Sequence, residues 1–300
     1  VELIWQERLS AQQADQVRAL VAAAAEVDGR APIGEHVLLN LDGGDHLVAA
    51  ERDGGPVIGY AFLDRTPDND GNSVAELAVH PEHRRRGIGS ALVDGVLAKV
   101  PDRAGLRIWA HGETPAAKHL AEKFGLRRAR ELWRMRRSLA EPLPTRAAPE
   151  GVVLRTFRPG EDEAAMVAVN NRAFSWHPEQ GGWTEADVRA REAEEWFDAN
   201  GFFLADKGGQ VIGFHWTKVH PASSSTGGEP IGEVYVVGID PDAQGGGLGS
   251  VLTLAGLHHL RSLGLPAVML YVEADNTAAI RVYEKLGFDR WDADVQFAGA

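Results

Sequence analysis

Two stretches of the chain share one pattern of apolar and polar positions. Residues 233–239 form a strand-length apolar run rich in β-branched residues, closed by Asp240-Pro241. A turn of nearly bare backbone follows, Gln244-Gly245-Gly246-Gly247-Leu248-Gly249. Val251, Leu252, Leu254, Leu257 and Leu260 then recur at helical spacing and predict an amphipathic helix over 250–263. Residues 75–90 repeat the layout, with an apolar run to Val79, then His80-Pro81, then Arg84-Arg85-Arg86-Gly87-Ile88-Gly89-Ser90. Gly87, Gly89 and Ser90 precede Gly247, Gly249 and Ser250 by 160 positions each.

The remaining periodicities fall in the same order around each copy. In the first half strands are predicted over 3–8, 46–51, 57–64, 106–110 and 131–139, with a hairpin turn at Asp53-Gly54-Gly55. Ser10 reads as the cap of a long helix, residues 31–36 lead into a short one, and Thr114 opens a helix that Gly125 ends. In the second half strands are predicted over 152–157, 202–207, 211–218, 267–273 and 291–297, with helices over 161–173, 184–198 and 276–286. Residues 141–150 hold Pro142, Pro144 and Pro149 without periodicity and read as a linker. The Ser/Gly-rich residues 223–228 read as a spacer. The repeat therefore predicts two domains, 1–140 and 151–300, each large enough to bury its own core.

Composition narrows the function. A hydrophobic content of 44% with 25% charged residues suits an ordinary globular chain. The formal charge of −12 disfavours nucleic acid as a partner, because phosphate binding calls for a basic surface. No apolar run reaches membrane-spanning length, and residues 20–25 lie inside a helix pattern rather than a leader peptide. The chain has no cysteine, so disulfides, thiolate metal sites and a thiol nucleophile are excluded. A cytoplasmic monomer acting on small molecules is the expectation. The His258-His259 pair reads as a helix face, and no metal is expected.

A strand, a bare turn and a helix N-terminus make an anion site, since backbone N–H groups and the helix dipole both point into the turn. Both copies read (Arg/Gln)-x-x-Gly-x-Gly in that context, which resembles the acetyl-CoA pyrophosphate signature of the GCN5-related N-acetyltransferase (GNAT) superfamily. The resemblance implies an α/β fold (an α+β mixed sheet) in two tandem GNAT acyl-CoA N-acyltransferase domains, with acetyl-CoA as co-substrate. Amine acetylation from a thioester needs a base, an oxyanion donor and an acid for the departing thiolate. The halves differ in two of these: Glu233 stands where the first copy has Ser73, and Tyr283, four before Gly287, stands where it has Ala121. By resemblance Glu233 is the base, Tyr283 lies near the CoA sulfur, and an amide at Val237, Gly238 or Ile239 polarises the thioester. The second half is then catalytic, and the first binds acetyl-CoA or helps shape the acceptor pocket without turning over.

Further runs extend the likeness. His177-Pro178-Glu179-Gln180-Gly181-Gly182-Trp183, Gly213 to Pro221, Leu270 to Asn276 and Ala31-Pro32-Ile33-Gly34-Glu35 resemble a tandem branch of the superfamily. That branch acetylates the cysteinyl amine of a cysteinyl-glucosaminyl-inositol. It would place Glu35, Glu179, Lys218, Glu233, Tyr271 and Tyr283 around the acceptor. In the second half it would place acetyl-CoA on Val237, Gly238 and Ile239, on Gln244, Gly245, Gly246, Gly247, Leu248, Gly249 and Ser250, and on Asn276, Thr277, Ala278, Ala279, Ile280 and Arg281. In the first half it would place a second acetyl-CoA on Leu77, Ala78, Val79, Arg85, Arg86, Gly87, Ile88, Gly89 and Ser90. One departure is that Gly245 and Gly246 occupy positions usually basic in the family, which predicts weaker charge attraction to the phosphates. Two alternatives stand beside this reading: a tandem enzyme acting on another primary amine, such as an aminoglycoside or a peptide N-terminus, and an acyl-CoA sensor without turnover.

Overall fold

The computed structural model describes residues 1–299 except 53, 67–69, 178–179 and 224–225. In chain order the first elements are β1 (Glu2–Gln6), α1 (Ala11–Asp28), α2 (Glu35–Leu39), β2 (Asp45–Ala50), β3 (Val57–Asp64), β4 (Ser73–Val79), α3 (Ile88–Lys99), β5 (Leu106–Ala110), α4 (Pro115–Phe124) and β6 (Arg127–Ser138). The order restarts with β7 (Val152–Thr156), α5 (Glu163–Ala173), α6 (Glu185–Glu192), β8 (Phe202–Lys207), β9 (Gln210–His220), β10 (Ile231–Ile239), α7 (Leu248–Ser262), β11 (Ala267–Glu273), α8 (Thr277–Lys285) and β12 (Asp289–Ala298).

Two compact units result. Unit 1 comprises Val1–Leu132, Ser223–Gly228 and Asp292–Ala300, and unit 2 comprises Trp133–Ala222 and Glu229–Trp291. A cut at the linker would leave residues 133–140 with the first half and 292–300 with the second; the compact units hold them the other way round. In unit 1, β1 to β4 are successive antiparallel neighbours, β4 pairs parallel with β5, and Val295–Ala298 of β12 pair antiparallel with β5. In unit 2, β7 to β10 are antiparallel, β10 pairs parallel with β11, and β6 lies beside β11.

Strand alternation lets the strands of each unit bury both faces. In unit 1, Leu47, Ala49, Ala61 and Ala75 meet Leu92, Val93 and Val96 of α3, while Val48, Tyr60, Phe62 and Ala78 meet Val17, Leu20 and Val21 of α1. Ser10 and Gln13 close a capping box on α1, and Gly29 ends it in the left-handed region at φ 67°. In unit 2, Leu257 and Leu260 of α7 pack on Val234, Val268 and Leu270. The other face carries an aromatic stack, with Phe157–Phe202 and Phe202–Trp216 centroids 4.3 and 4.4 Å apart.

Two elements depart most from their predicted lengths. α6 stops at Glu192 instead of residue 198, because Trp196 and Phe197 turn in against Trp216, 5.8 and 5.9 Å away. β6 starts at Arg127, earlier than its apolar pattern indicates, since a run of arginines hides the alternation. Among the described residues no helix is long and apolar enough to cross a membrane.

Candidate active site

In unit 2 the two parallel strands at the centre part company. The β10–β11 ladder runs Gly232↔Val268, Glu233↔Met269 and Val234↔Leu270 and ends there, whereas β10 stays paired with β9 as far as Ile239↔Gly213. The edge of β10 facing β11 is thus outside the ladder over Val237, Gly238 and Ile239. A register shift between Val234 and Val236 bulges β10 at Tyr235. Tyr235 and Val236 consequently both join the aromatic face, while Val234 and Val237 join the α7 face. A bulge of this kind re-aims a strand without ending it.

Glu233 is 6% exposed at the last paired stretch before the gap. Lys218 of β9 is its direct cross-strand neighbour, with its ammonium 4.3 Å from the Trp196 ring centre and 5.3 Å from that of Tyr235. The Tyr235 hydroxyl accepts a 2.8 Å hydrogen bond from Arg191 Nε, and the Arg191 guanidinium lies over Trp183. His220, which the sequence reading passed over, brings Nε2 to 2.5 Å from Glu233 Oε2. Tyr271 is 37% exposed on β11, on the face it shares with Met269 and Glu273. His177 sits 3.6 Å from Glu273, which anchors the loop leading to Glu179; Glu179 itself lies outside the described residues. Tyr283 belongs to the opposite face, packed with the α7 and α8 cluster, its ring edge-on to Phe288 at 5.9 Å. Burial pushes its phenol up to about 12.

The bare turn has the geometry an anion needs. Gly245 and Gly247 sit in the left-handed region at φ 91° and 80°, where a side chain is strained. The first helical bond of α7 is Val251 N to Gly247 O, so the N–H groups of Leu248, Gly249 and Ser250 precede it. Arg172 of α5 ties the turn down through Asp240 and Asp242, at 2.9 and 2.6 Å. A side chain at Gly247 would collide with Arg146: an ideal Cβ there lies 2.5 Å from Arg146 Nη2. Arg146 thus lays its guanidinium on a turn that holds glycine at positions 245 and 246. Asn276 caps α8 by accepting from Ala279 N at 3.1 Å, and Thr277, Ala278, Ala279, Ile280 and Arg281 form its first turns. A cavity of about 790 Å³ borders Gln244, Gly246 and Leu248 but is not lined by Glu233, Lys218, Tyr271 or Tyr283. The separation between strands, rather than this cavity, is what Glu233 adjoins.

Unit 1 has the corresponding parts with different engagement. The β4–β5 ladder ends at Glu76↔Trp109, which leaves the β5-facing edge unpaired at Leu77, Ala78 and Val79. Arg85, aligned with Gly245, holds φ 62° without being glycine, and Gly87 caps α3 at φ 82°. Arg86, Ile88 and Gly89 complete the turn, and Ser90 Oγ accepts from Lys123 Nζ at 2.8 Å. Arg84 chelates Asp28 through two 2.7 Å bonds. This anchors the turn as Arg172 does in unit 2, with the charges exchanged between loop and helix. Glu35 opens α2, and the N–H of the preceding Gly34 donates to Glu76 Oε2 at 2.6 Å.

Glu76 also belongs to a buried charge cluster that the sequence reading missed. His111 sits between two carboxylates, with Nε2 2.9 Å from Glu76 and Nδ1 3.1 Å from Asp294, while Arg30 pairs with Asp292 and Asp294. Burial alone would lower the imidazole's affinity for its proton, but the two carboxylates outweigh it and raise His111 to about 10. Burial alone would raise Glu76, and the His111 cation with the Gly34 N–H bond outweighs it, leaving that carboxyl below its usual range. The sequence separation of Glu76, His111 and Asp294 gave no signal for this cluster. The expectation that no His/Asp/Glu group has metal spacing meets one exception. His80, Glu82 and His83 can each bring a ligand atom within 4.8 Å of the others. That group is part-exposed and lies beside Arg84, Arg85 and Arg86, whose charge repels a cation.

Two parted parallel strands, the first of them leading through a left-handed glycine turn into a helix, are the architecture of an acyl-CoA-dependent acyltransferase, present here twice. The chain belongs to the acetyltransferase (GNAT) family, whose pattern matches residues 14–126 and again 169–288. At the level of particular proteins, it is 55% identical to the mycothiol acetyltransferase of Actinosynnema mirum over 99% of both chains. It is 56% identical to that of Saccharomonospora viridis over 98% of both. Among solved structures it is similar to a tandem GNAT protein from the clavulanic acid biosynthesis pathway, with a TM-score of 0.67 at 23% identity, covering 99% of this chain and 98% of that one. A GCN5-related N-acetyltransferase from Sphaerobacter thermophilus aligns with a TM-score of 0.65 at 25% identity, over 98% and 94%.

Proposed function

We propose that the chain transfers the acetyl group of acetyl-CoA to the cysteinyl amine of cysteinyl-glucosaminyl-inositol, giving mycothiol and CoA by direct attack in a ternary complex. The observation that carries this reading is identity above 50% along essentially the full length of enzymes bearing that name. The acceptor's α-amine has a reference pKa of about 8, so much of it is ammonium at neutral pH and a base is needed. Glu233 takes that proton, directly or through a water. An unpaired amide among Val237, Gly238 and Ile239 stabilises the oxyanion, and Tyr283 donates to the departing thiolate. Lys218, Tyr271 and Glu179 hydrogen-bond the acceptor's hydroxyl and amide groups.

Acetyl-CoA takes the bare turn of residues 244–250 and the N-terminus of α8, with Arg146 adding positive charge beside the phosphates. On this reading residues 151–300 carry catalysis, with 141–150 as the linker. Residues 1–140 hold a second acetyl-CoA on Leu77, Ala78 and Val79 and on residues 85–90 without turning it over. The test is a steady-state assay with acetyl-CoA and three acceptors: cysteinyl-glucosaminyl-inositol, an aminoglycoside and a free peptide. Acetylation of the first at least a hundredfold (about 3 kcal/mol) more efficiently than the others is expected. Preference for either alternative acceptor, or binding of acetyl-CoA without transfer, overturns the assignment.

A further inference from the structure

We propose that His220 is the positioning partner of Glu233, holding its carboxylate in the one orientation from which it can take the acceptor's proton. The proposal rests on the reading of Glu233 as the base. His220 ends β9, two positions beyond Lys218, so its side chain leaves the sheet on the same face as those of Lys218 and Glu233. It is the diagonal cross-strand neighbour of Glu233, a spacing that an imidazole and a glutamate together can span. The contact joins Nε2 to Oε2 at 2.5 Å, and the imidazole is 27% exposed where the carboxylate is 8%.

A carboxylate this buried is costly unless donors satisfy it. A ring N–H on Oε2 meets part of that need and stops the carboxylate from rotating. It leaves Oε1 to face the amine. When the ammonium N–H bond breaks, the proton goes to Oε1 and the electron pair stays on nitrogen for attack on the thioester. His220 gains and loses nothing in that step; its contribution is the fixed geometry of the acceptor oxygen. Lys218 stands directly opposite Glu233, with its ammonium held against the Trp196 and Tyr235 rings.

The test is a double-mutant cycle on the full chain, using His220→Ala, Glu233→Gln and the pair, with His220→Gln as the conservative variant. His220→Ala is expected to lower kcat about 10- to 100-fold, the range for a hydrogen bond to a charged group, with KM for acetyl-CoA unchanged. The amide N–H of His220→Gln reaches the place of Nε2–H and should restore most of the loss. In the Glu233→Gln background, His220→Ala should cost no more than about twofold, because the two residues act as one unit. Equal losses in both backgrounds, or a raised acceptor KM at unchanged kcat, overturn the proposal. Wild-type turnover by Glu233→Gln removes the base assignment and this proposal with it. Wild-type turnover by His220→Ala beside a crippled Glu233→Gln removes the proposal alone.

Discussion

Replacing Tyr283 by phenylalanine asks how the departing thiolate is stabilised. The phenol sits on α8 among Ile280, Leu286 and Phe288, and burial pushes it up to about 12. A free thiol titrates at about 8.5. Handing the phenol proton outright to CoA thiolate therefore runs uphill by about 3.5 pKa units, or ~5 kcal/mol. A hydrogen bond from the intact phenol has no such penalty and is worth about 1.5–3 kcal/mol when the acceptor is charged. Tyr283→Phe should accordingly slow acetyl transfer about 10- to 100-fold, less than the 10⁴ at the upper end for loss of an obligatory general acid. The measurement is a single-turnover rapid-quench experiment with acetyl-labelled acetyl-CoA, because product release can mask the chemical step in kcat. Acetyl-CoA affinity by calorimetry should not change. A phenol at about 12 also keeps its proton across the working range, so the wild-type rate should show no basic limb that the substitution abolishes. A limb between about pH 8 and 10 that disappears in Tyr283→Phe would place the phenol near an ordinary tyrosine. That result, or a single-turnover rate within threefold (about 0.7 kcal/mol) of wild type, refutes the reasoning.

Glu233→Ala should lower kcat/KM for the acceptor by about 10²-fold or more at neutral pH, with the deficit shrinking above about pH 8 as the amine loses its proton unaided; a deficit independent of pH removes Glu233 as base. His111→Gln should cost about 3–5 kcal/mol in urea unfolding at pH 7, since it leaves Glu76 and Asp294 buried without their shared cation. Because the folded-state value is raised from 6.5 to about 10, the imidazolium's contribution is complete below pH 6.5 and is lost as pH climbs through about 10. Wild type and variant should therefore converge in alkali; a constant gap would contradict the assignment. The Gly245→Arg, Gly246→Arg double variant should lower KM for acetyl-CoA about two- to thirtyfold at low salt, the range for two added exposed charges beside a phosphate. Both sites have room for a Cβ, and Arg85 shows that a side chain can hold the left-handed conformation required at Gly245. No change at low salt refutes the idea that the loop lacks charge.

Local signals in the sequence carried most of the secondary structure. Ser10, Thr114, Thr184 and Asn276 each cap the helix expected of them, and Gly125 ends α4 in the left-handed region. Both glycine turns were readable for the same reason, because only glycine fits the backbone there without strain. What could not be read depends on partners far apart in sequence. Nothing local tells Asp294 to join His111 and Gly112, or Val295–Ala298 to pair with β5. The shortened α6 is a case where aromatic packing overrode a continuous helical pattern. His220 was hidden because cross-strand neighbours appear only once the register of β9 against β10 is known.

The duplicated motif strands also bear on why one half is assigned the chemistry. Alignment by the glycine turns gives the first half Ser73 at the position of Glu233, which suggests a carboxylate on one side only. The structure puts a buried carboxylate on each motif strand, Glu76 in unit 1 and Glu233 in unit 2, three positions apart in the repeat. Their engagement separates them. Glu76 is held by the His111 cation and the Gly34 N–H, and its lowered pKa makes it a poor proton acceptor at neutral pH. Its Gly34 bond instead steadies the start of α2, where Glu35 stands. Glu233 is met by an imidazole at Oε2 and stands in the last paired stretch before the strands part. On the proposed assignment, the first domain keeps a carboxylate on its motif strand but surrounds it with charges that hold it ionised. If Tyr283 serves the leaving thiolate as proposed, freeing Glu76 alone should leave the first half inactive, because Ala121 stands there where the second half has Tyr283.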